Sequence, residues 1–154
     1  MMGIPVRDIM TRNVITVPVS MPVKDVAQLL SERRITGLPV VDAEGNVAGV
    51  LSELDIISRH GETAGDIMSP KVISAAEDAD AEDVAHLLTD RRIRRVPILA
   101  DGKLVGIVSR SDMIKLFMAV RWVCEDCGYF SRGFERPEVC PSCGSDRIVL
   151  RRDG

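Results

Sequence analysis

Apolar residues along this chain fall in short blocks that switch between two periods. Residues 14–17 form a brief β-branched run, as expected of a strand. Val23, Val26, Ala27 and Leu30 then share one face at helical spacing, which predicts a helix over 23–35 with Ser20 placed to cap its start. Residues 38–42 and 47–51 read as strands joined by a turn at Gly45. Ser52 ends the second of these runs, where it can cap a closing helix that carries Asp55 in its first turn. The order β-α-β-β-α then recurs. Asp78 is placed to cap the second helix, Asp101-Gly102 is a hairpin signal, and Ser109 opens a closing helix that holds Asp112 and runs on through Phe117.

The recurrence is a sequence repeat. A shift of 58 residues lays Asp8-Ile9-Met10 on Asp66-Ile67-Met68, Val14-Ile15 on Val72-Ile73, Asp25-Val26-Ala27 on Asp83-Val84-Ala85, and Arg33-Arg34-Ile35 on Arg91-Arg92-Ile93. Pro39 then meets Pro97. One residue is lost in the following turn, so a shift of 57 carries Gly49, Ser52 and Asp55 onto Gly106, Ser109 and Asp112. Agreement over nearly the whole unit identifies two copies of one supersecondary motif. A single copy leaves one face of a three-stranded sheet poorly covered, so the two are expected to pack about a pseudo-twofold axis.

A Ser and an Asp three apart at a helix start form a capping-box relative, and a helix start also offers N–H groups to an anion. The D-I-M opening, the strands Leu38-Pro39-Val40-Val41 and Val96-Pro97-Ile98-Leu99, and the closing G-h-h-S-x-x-D together resemble a CBS-domain pair over residues 4–119. The resemblance implies an α+β fold of two β-α-β-β-α repeats, assigned to residues 4–60 and 64–120. It also implies a regulatory, non-catalytic module that binds AMP, ADP, ATP or S-adenosylmethionine in clefts between the repeats, usually as a homodimer. Carried over position by position, one cleft uses Met10, Asn13, Ile15, Ile35 and Gly37 with Ser109 and Asp112. The other uses Met68, Lys71, Ile73, Ile93 and Arg95 with Ser52 and Asp55. Each Asp can accept both ribose hydroxyls, and each Ser with the helix-start amides can hold an α-phosphate.

Composition changes the picture at one place. Of the five aromatic residues, Trp122, Tyr129, Phe130 and Phe134 lie beyond residue 121, together with all four cysteines. The shift marks a boundary near residues 120–122 and a separate segment over 121–154. A net charge of −3 gives no general attraction to nucleic acid or anionic membrane. No apolar run approaches the ~20 residues of a membrane helix, and residues 1–5 do not resemble a signal peptide, so the expected location is the cytoplasm. His60 and His86 read as surface side chains. No Ser-His-Asp set, Walker loop or paired acid–base carboxylates stand out, so no catalytic residue is expected.

Cys124-Glu125-Asp126-Cys127 and Cys140-Pro141-Ser142-Cys143 make two CxxC pairs with twelve residues between them. Gly128 and Gly144 follow the pairs and let each turn fold back so that backbone N–H groups face the sulfurs. Four thiolates at this spacing suit Zn²⁺ or iron in a tetrahedral site. So short a segment cannot bury a sufficient core, and the metal is expected to supply much of its folding free energy. Trp122-Val123-Cys124, Cys127-Gly128-Tyr129 and Cys140-Pro141-Ser142-Cys143-Gly144 resemble the rubredoxin-like ribbon at the end of rubrerythrins, which often carries iron. The helix bundle and Glu-x-x-His ligands of rubrerythrins are absent, so a structural Zn²⁺ is expected, with iron as the alternative. The ribbon would meet an unknown protein target. The other readings are an iron redox carrier under control of the repeats and a nucleic-acid-linked regulator. The last is disfavoured by the six Arg and six Asp/Glu of residues 121–154, which cancel.

Overall fold

The computed structural model describes residues 2–153. Its elements follow the chain as β1 (Val17–Pro18), α1 (Val23–Arg33), β2 (Gly37–Val41), β3 (Val47–Ser52), α2 (Glu53–Ser58), α3 (Ala64–Ile67), β4 (Ala75–Ala76), α4 (Ala81–Asp90), β5 (Arg95–Ala100), β6 (Lys103–Ser109), α5 (Arg110–Ala119), β7 (Val120–Cys124), β8 (Phe130–Ser131) and β9 (Ile148–Arg152). The three sheets have strand orders β1-β2-β3, β4-β5-β6 and β8-β7-β9. The first two are copies of one plan, as the repeat requires.

The described residues divide into two compact units, one of residues 12–74 with 97–106, the other of residues 2–11, 75–96 and 107–153. In the first, β1 pairs parallel with β2, Val17 beside Val40, and β2 pairs antiparallel with β3. Alternation along these strands turns Val17, Leu38, Val40 and Leu51 inward against Val26 and Leu30 of α1 and Ala64 and Ile67 of α3. In the second unit Val84 and Leu88 of α4 are buried, as are Met113 and Leu116 of α5. The ribbon buries Trp122, whose Nε1 donates to the Gly133 carbonyl at 3.1 Å.

The segments ahead of each repeat, called leaders below, are exchanged. Residues 4–11 do not serve their own repeat. Val6 N–H donates to the Ala79 carbonyl, Ala81 N–H to Ile4, and Thr11 and Ile107 bond each other reciprocally at 2.9 Å. Residues 62–69 do the same for the first repeat. Ala64 N–H donates to Met21, Val23 N–H to Glu62, and Ser69 and Val50 bond reciprocally. Gly49 makes room for this. A Cβ there would stand 2.6 Å from both Met68 Sδ and the Ser69 carbonyl oxygen, a distance no real pair adopts. That is a steric reason for the glycine that opens the first G-h-h-S-x-x-D.

Two capping expectations need correction. Neither Ser20 nor Asp78 caps a helix. Pro22 occupies the N-cap of α1 without a side-chain bond, and Asp80, its counterpart, caps α4 by accepting the Glu82 N–H at 3.0 Å. At the first site the Glu62 carbonyl accepts the Val23 N–H at 2.9 Å instead. Arg34 and Arg92 are left-handed at φ 54° and 52° and turn the chain out of α1 and α4.

Candidate functional site

Both Ser-x-x-Asp sequences form reciprocal capping boxes. At the start of α5 the Asp112 Oδ2 accepts the Ser109 N–H at 2.8 Å and the Ser109 hydroxyl at 3.1 Å. Its Oδ1 accepts the Thr11 hydroxyl at 3.2 Å, and the side chain is buried, with 8% exposure. At the start of α2 the Asp55 Oδ2 accepts the Ser52 N–H at 2.9 Å and its hydroxyl at 3.3 Å. Its Oδ1 faces Arg59 Nε at 3.4 Å. Each Oδ2 is thus filled by its two bonds, while each Oδ1 keeps one acceptor site beyond its present partner.

The remaining expected ligand residues fall as follows. Met10 is buried, Asn13 exposed and Ile15 half-buried against the core of the first unit. Ile35 packs against that same core, and Gly37 opens β2 directly opposite Ser52. Met68 ends α3 and packs on that core, Lys71 is exposed, and Ile73, Ile93 and Arg95 are half-buried. The structure therefore joins Ser52 to Asp55 and Gly37, and Ser109 to Asp112. Thr11 was not anticipated as a partner of Asp112. Its signal lay in the repeat, since Thr11 stands on Ser69, a hydroxyl in both copies.

The four cysteine sulfurs lie within 4.8 Å of one another. Cys124 Sγ and Cys143 Sγ are 3.6 Å apart, as are Cys127 Sγ and Cys140 Sγ. Sulfurs placed ~2.3 Å from a central Zn²⁺ stand about 3.8 Å apart at tetrahedron edges, so the cluster fits such an ion. Gly128 and Gly144, at φ 80° and 76°, let their N–H groups close onto the Cys124 and Cys140 carbonyls at 2.9 and 2.8 Å. Burial pushes the Cys140 thiol up, but N–H groups of Cys143 and Ser142 and the neighbouring thiols outweigh it and hold it at about 7. The Ser145 N–H favours the Cys143 thiolate, yet burial and three adjacent thiols push that group up to about 12. Four thiols crowded together ionise with difficulty one after another, which is the repulsion a dication relieves.

The ribbon is bolted to α5. No residue separates Ala119 from β7, and Arg132 Nη1 donates to the Met118 and Val120 carbonyls at 2.9 Å each. Its Nη2 binds Asp153 at 2.7 Å, and the Asp153 N–H donates to Ala119. Phe134 packs on Phe117 with ring centroids 6.1 Å apart. A guanidinium thus satisfies the orphan carbonyls at the negative end of the helix.

Comparison with known proteins agrees with this geometry. Residues 6–62 and 64–119 each match the CBS domain family, and residues 122–147 match the rubrerythrin, rubredoxin-like domain. The chain is 28% identical to the chloroplastic CBS domain-containing protein CBSX2 of Arabidopsis thaliana, over 77% of this chain and 66% of that protein, just under two thirds of its length. It is 32% identical to the CBS domain-containing protein YhcV of Bacillus subtilis, over 70% of this chain and 81% of YhcV. A solved structure of CBSX2 in complex with AMP superposes with a TM-score of 0.72 at 34% identity, covering 75% of this chain and 97% of the other. The CBS pair of protein MJ0100 in complex with 5′-methylthioadenosine and S-adenosyl-L-methionine does so with a TM-score of 0.69 at 31% identity, covering 75% and 96%.

Proposed function

The chain belongs to the CBS domain family and ends in a rubredoxin-like domain, and from that premise we propose that it is a regulatory sensor of an adenosine-containing ligand. The observation that carries the reading is the paired Ser-x-x-Asp box, whose second copy is held in place by Thr11. The complexes of CBSX2 with AMP and of MJ0100 with S-adenosyl-L-methionine support it. In this reading Asp55 and Asp112 accept ribose hydroxyls, Ser52 and Ser109 face phosphate, and the apolar positions named from the repeat bracket the base. The domains run over 4–60, 64–120 and 121–154, the location is the cytoplasm, and the module regulates rather than catalyses. Exposed Leu54 and Ile57 on α2, and Ile114 and Met118 on α5, supply apolar faces for a homodimer.

The two ligand sites are unequal. Where the first repeat has Asn13 and Gly37, the second has Lys71 and Arg95. Positive charge suits a polyphosphate in the site of Ser52 and Asp55, and its absence suits AMP or S-adenosylmethionine in the site of Ser109 and Asp112. Calorimetric titration of Asp55→Ala and Asp112→Ala tests this. The first is expected to weaken ATP or ADP most and the second AMP or S-adenosylmethionine, each by about 1.5–3 kcal/mol. Equal losses for every ligand end the asymmetry, and no binding by the wild type ends the sensor reading.

Cys124, Cys127, Cys140 and Cys143 hold Zn²⁺ in a closed, four-sulfur site that supplies folding free energy and docks a protein partner. The rubredoxin-like match favours a second reading, iron and one-electron transfer. Metal analysis of purified protein separates them, since only iron gives a reversible visible spectrum.

A further inference from the structure

Outside the cysteine cluster, Glu82, His86 and Glu135 each bring one acceptor atom to within 4.8 Å of the others. His86 Nε2 stands 3.8 Å from Glu82 Oε1 and 3.3 Å from Glu135 Oε1. Glu82 and His86 are four apart on α4, so one face of that helix presents both. Glu135 comes from the ribbon, and its backbone is pinned on both sides. Arg132 binds the end of α5 as described, and Arg136 donates to the Ile148 carbonyl at 3.2 Å and the Asp146 carbonyl at 2.6 Å. The next residue inward, Phe134, packs on Phe117. The carboxylate therefore points at His86 from a fixed loop.

We propose that Glu82, His86 and Glu135 form a second metal site, taking one borderline divalent cation of the Zn²⁺ and Co²⁺ class and tying the ribbon to α4. Two carboxylate oxygens and an imidazole nitrogen gathered within one coordination radius make a donor set that a divalent cation accepts. Bonds of ~2.1 Å at tetrahedral angles set ligand atoms about 3.4 Å apart. The 3.3 Å pair meets that value, and a small rotation of Glu82 brings in the third. An imidazole beside carboxylates selects transition-series ions over Mg²⁺ or Ca²⁺. A void of about 440 Å³ lined by Ala85, His86, Thr89, Gly133, Phe134 and Glu135 adjoins the site and leaves the fourth position to water. The cysteine set is closed; this one is open.

The full chain, with its cysteine site filled by Zn²⁺, is titrated with Co²⁺, which binds thiolate sites less tightly than Zn²⁺ and so leaves them undisturbed. The expected result is one Co²⁺ per chain, with weak ligand-field absorption and no thiolate charge-transfer band, and paramagnetic broadening centred on His86 and residues 133–135. His86→Ala and Glu135→Gln are expected to lower the affinity at least tenfold. Both side chains are substantially exposed, at 45% and 71%, so both variants are expected to fold, with melting in the absence of Co²⁺ unchanged from the wild type. No second ion in the wild type overturns the proposal. Equal Co²⁺ binding by the variants overturns it as well.

Discussion

Helix α2 closes the first repeat with six residues and ends at exposed Arg59, whereas α5 closes the second with ten and runs without a break into the ribbon. Both begin with the same box. In α2 the outer carboxylate oxygen of Asp55 meets a long side chain on its own helix. In α5 the corresponding oxygen of Asp112 meets Thr11 from the exchanged leader, and the carboxylate is buried. One motif is tethered locally and can yield; the other is braced at its start by a leader and at its end by Arg132. The same four-residue signal is therefore more rigid where more of the chain converges on it.

The sharpest way to break this contrast is to remove the ribbon's metal site. Cys143→Ser is expected to abolish exchange protection across residues 121–153 and to loosen the last turn of α5, with α2 unchanged. Hydrogen exchange read helix by helix checks it, and equal loosening of α2 sinks the contrast. Next in size are the boxes themselves. Asp112→Ala removes a cap and the bond from Thr11, at a cost of about 2 kcal/mol, while Asp55→Ala removes a cap and an exposed ion pair, at about 1 kcal/mol. Denaturant melts of the two variants measure the difference, and a larger loss at Asp55 reverses the argument.

The smallest effect compares the two leaders. Asp66 caps α3 by accepting the Thr63 and Glu62 N–H groups, bonds that hold its carboxyl below the usual 3.8. The matching 3-10 turn, Val6–Asp8, starts at Pro5 with no side-chain cap. A lowered folded-state pKa stabilises above the unfolded value and loses that contribution as pH falls through the folded one. The penalty of Asp66→Ala is thus expected to be full at neutral pH and to shrink as pH falls through the lowered folded-state value. Asp8→Ala, which removes no cap, is expected to cost less at neutral pH. Melts of both variants across acid pH decide it.

Much of this was legible in the residues because it rests on local rules. The 58-residue repeat, the strands around Pro39 and Pro97, and the two CxxC turns are set by periodicity, glycine and proline. The exchange of leaders was not legible. Asp8-Ile9-Met10 and Asp66-Ile67-Met68 announce a repeated segment, but no sequence pattern states which copy of the fold a segment completes. Ser20 and Asp78 misled for a related reason, since backbone geometry placed the helix starts two residues later, at Pro22 with no side-chain cap and at Asp80. His86 read as a surface residue because its third neighbour, Glu135, lies 49 positions away. Such a partner appears only when the ribbon is docked.

The exchanged leaders also carry a history. A lone ancestral repeat would present an unfilled groove and an unplaced leader, and a second copy would offer the complement of both. Two such copies trading leaders would each complete the other, and joining them end to end raises the effective concentration at which they meet. In the present chain the two copies differ, one with a short closing helix and the other running on into a cysteine-bearing ribbon.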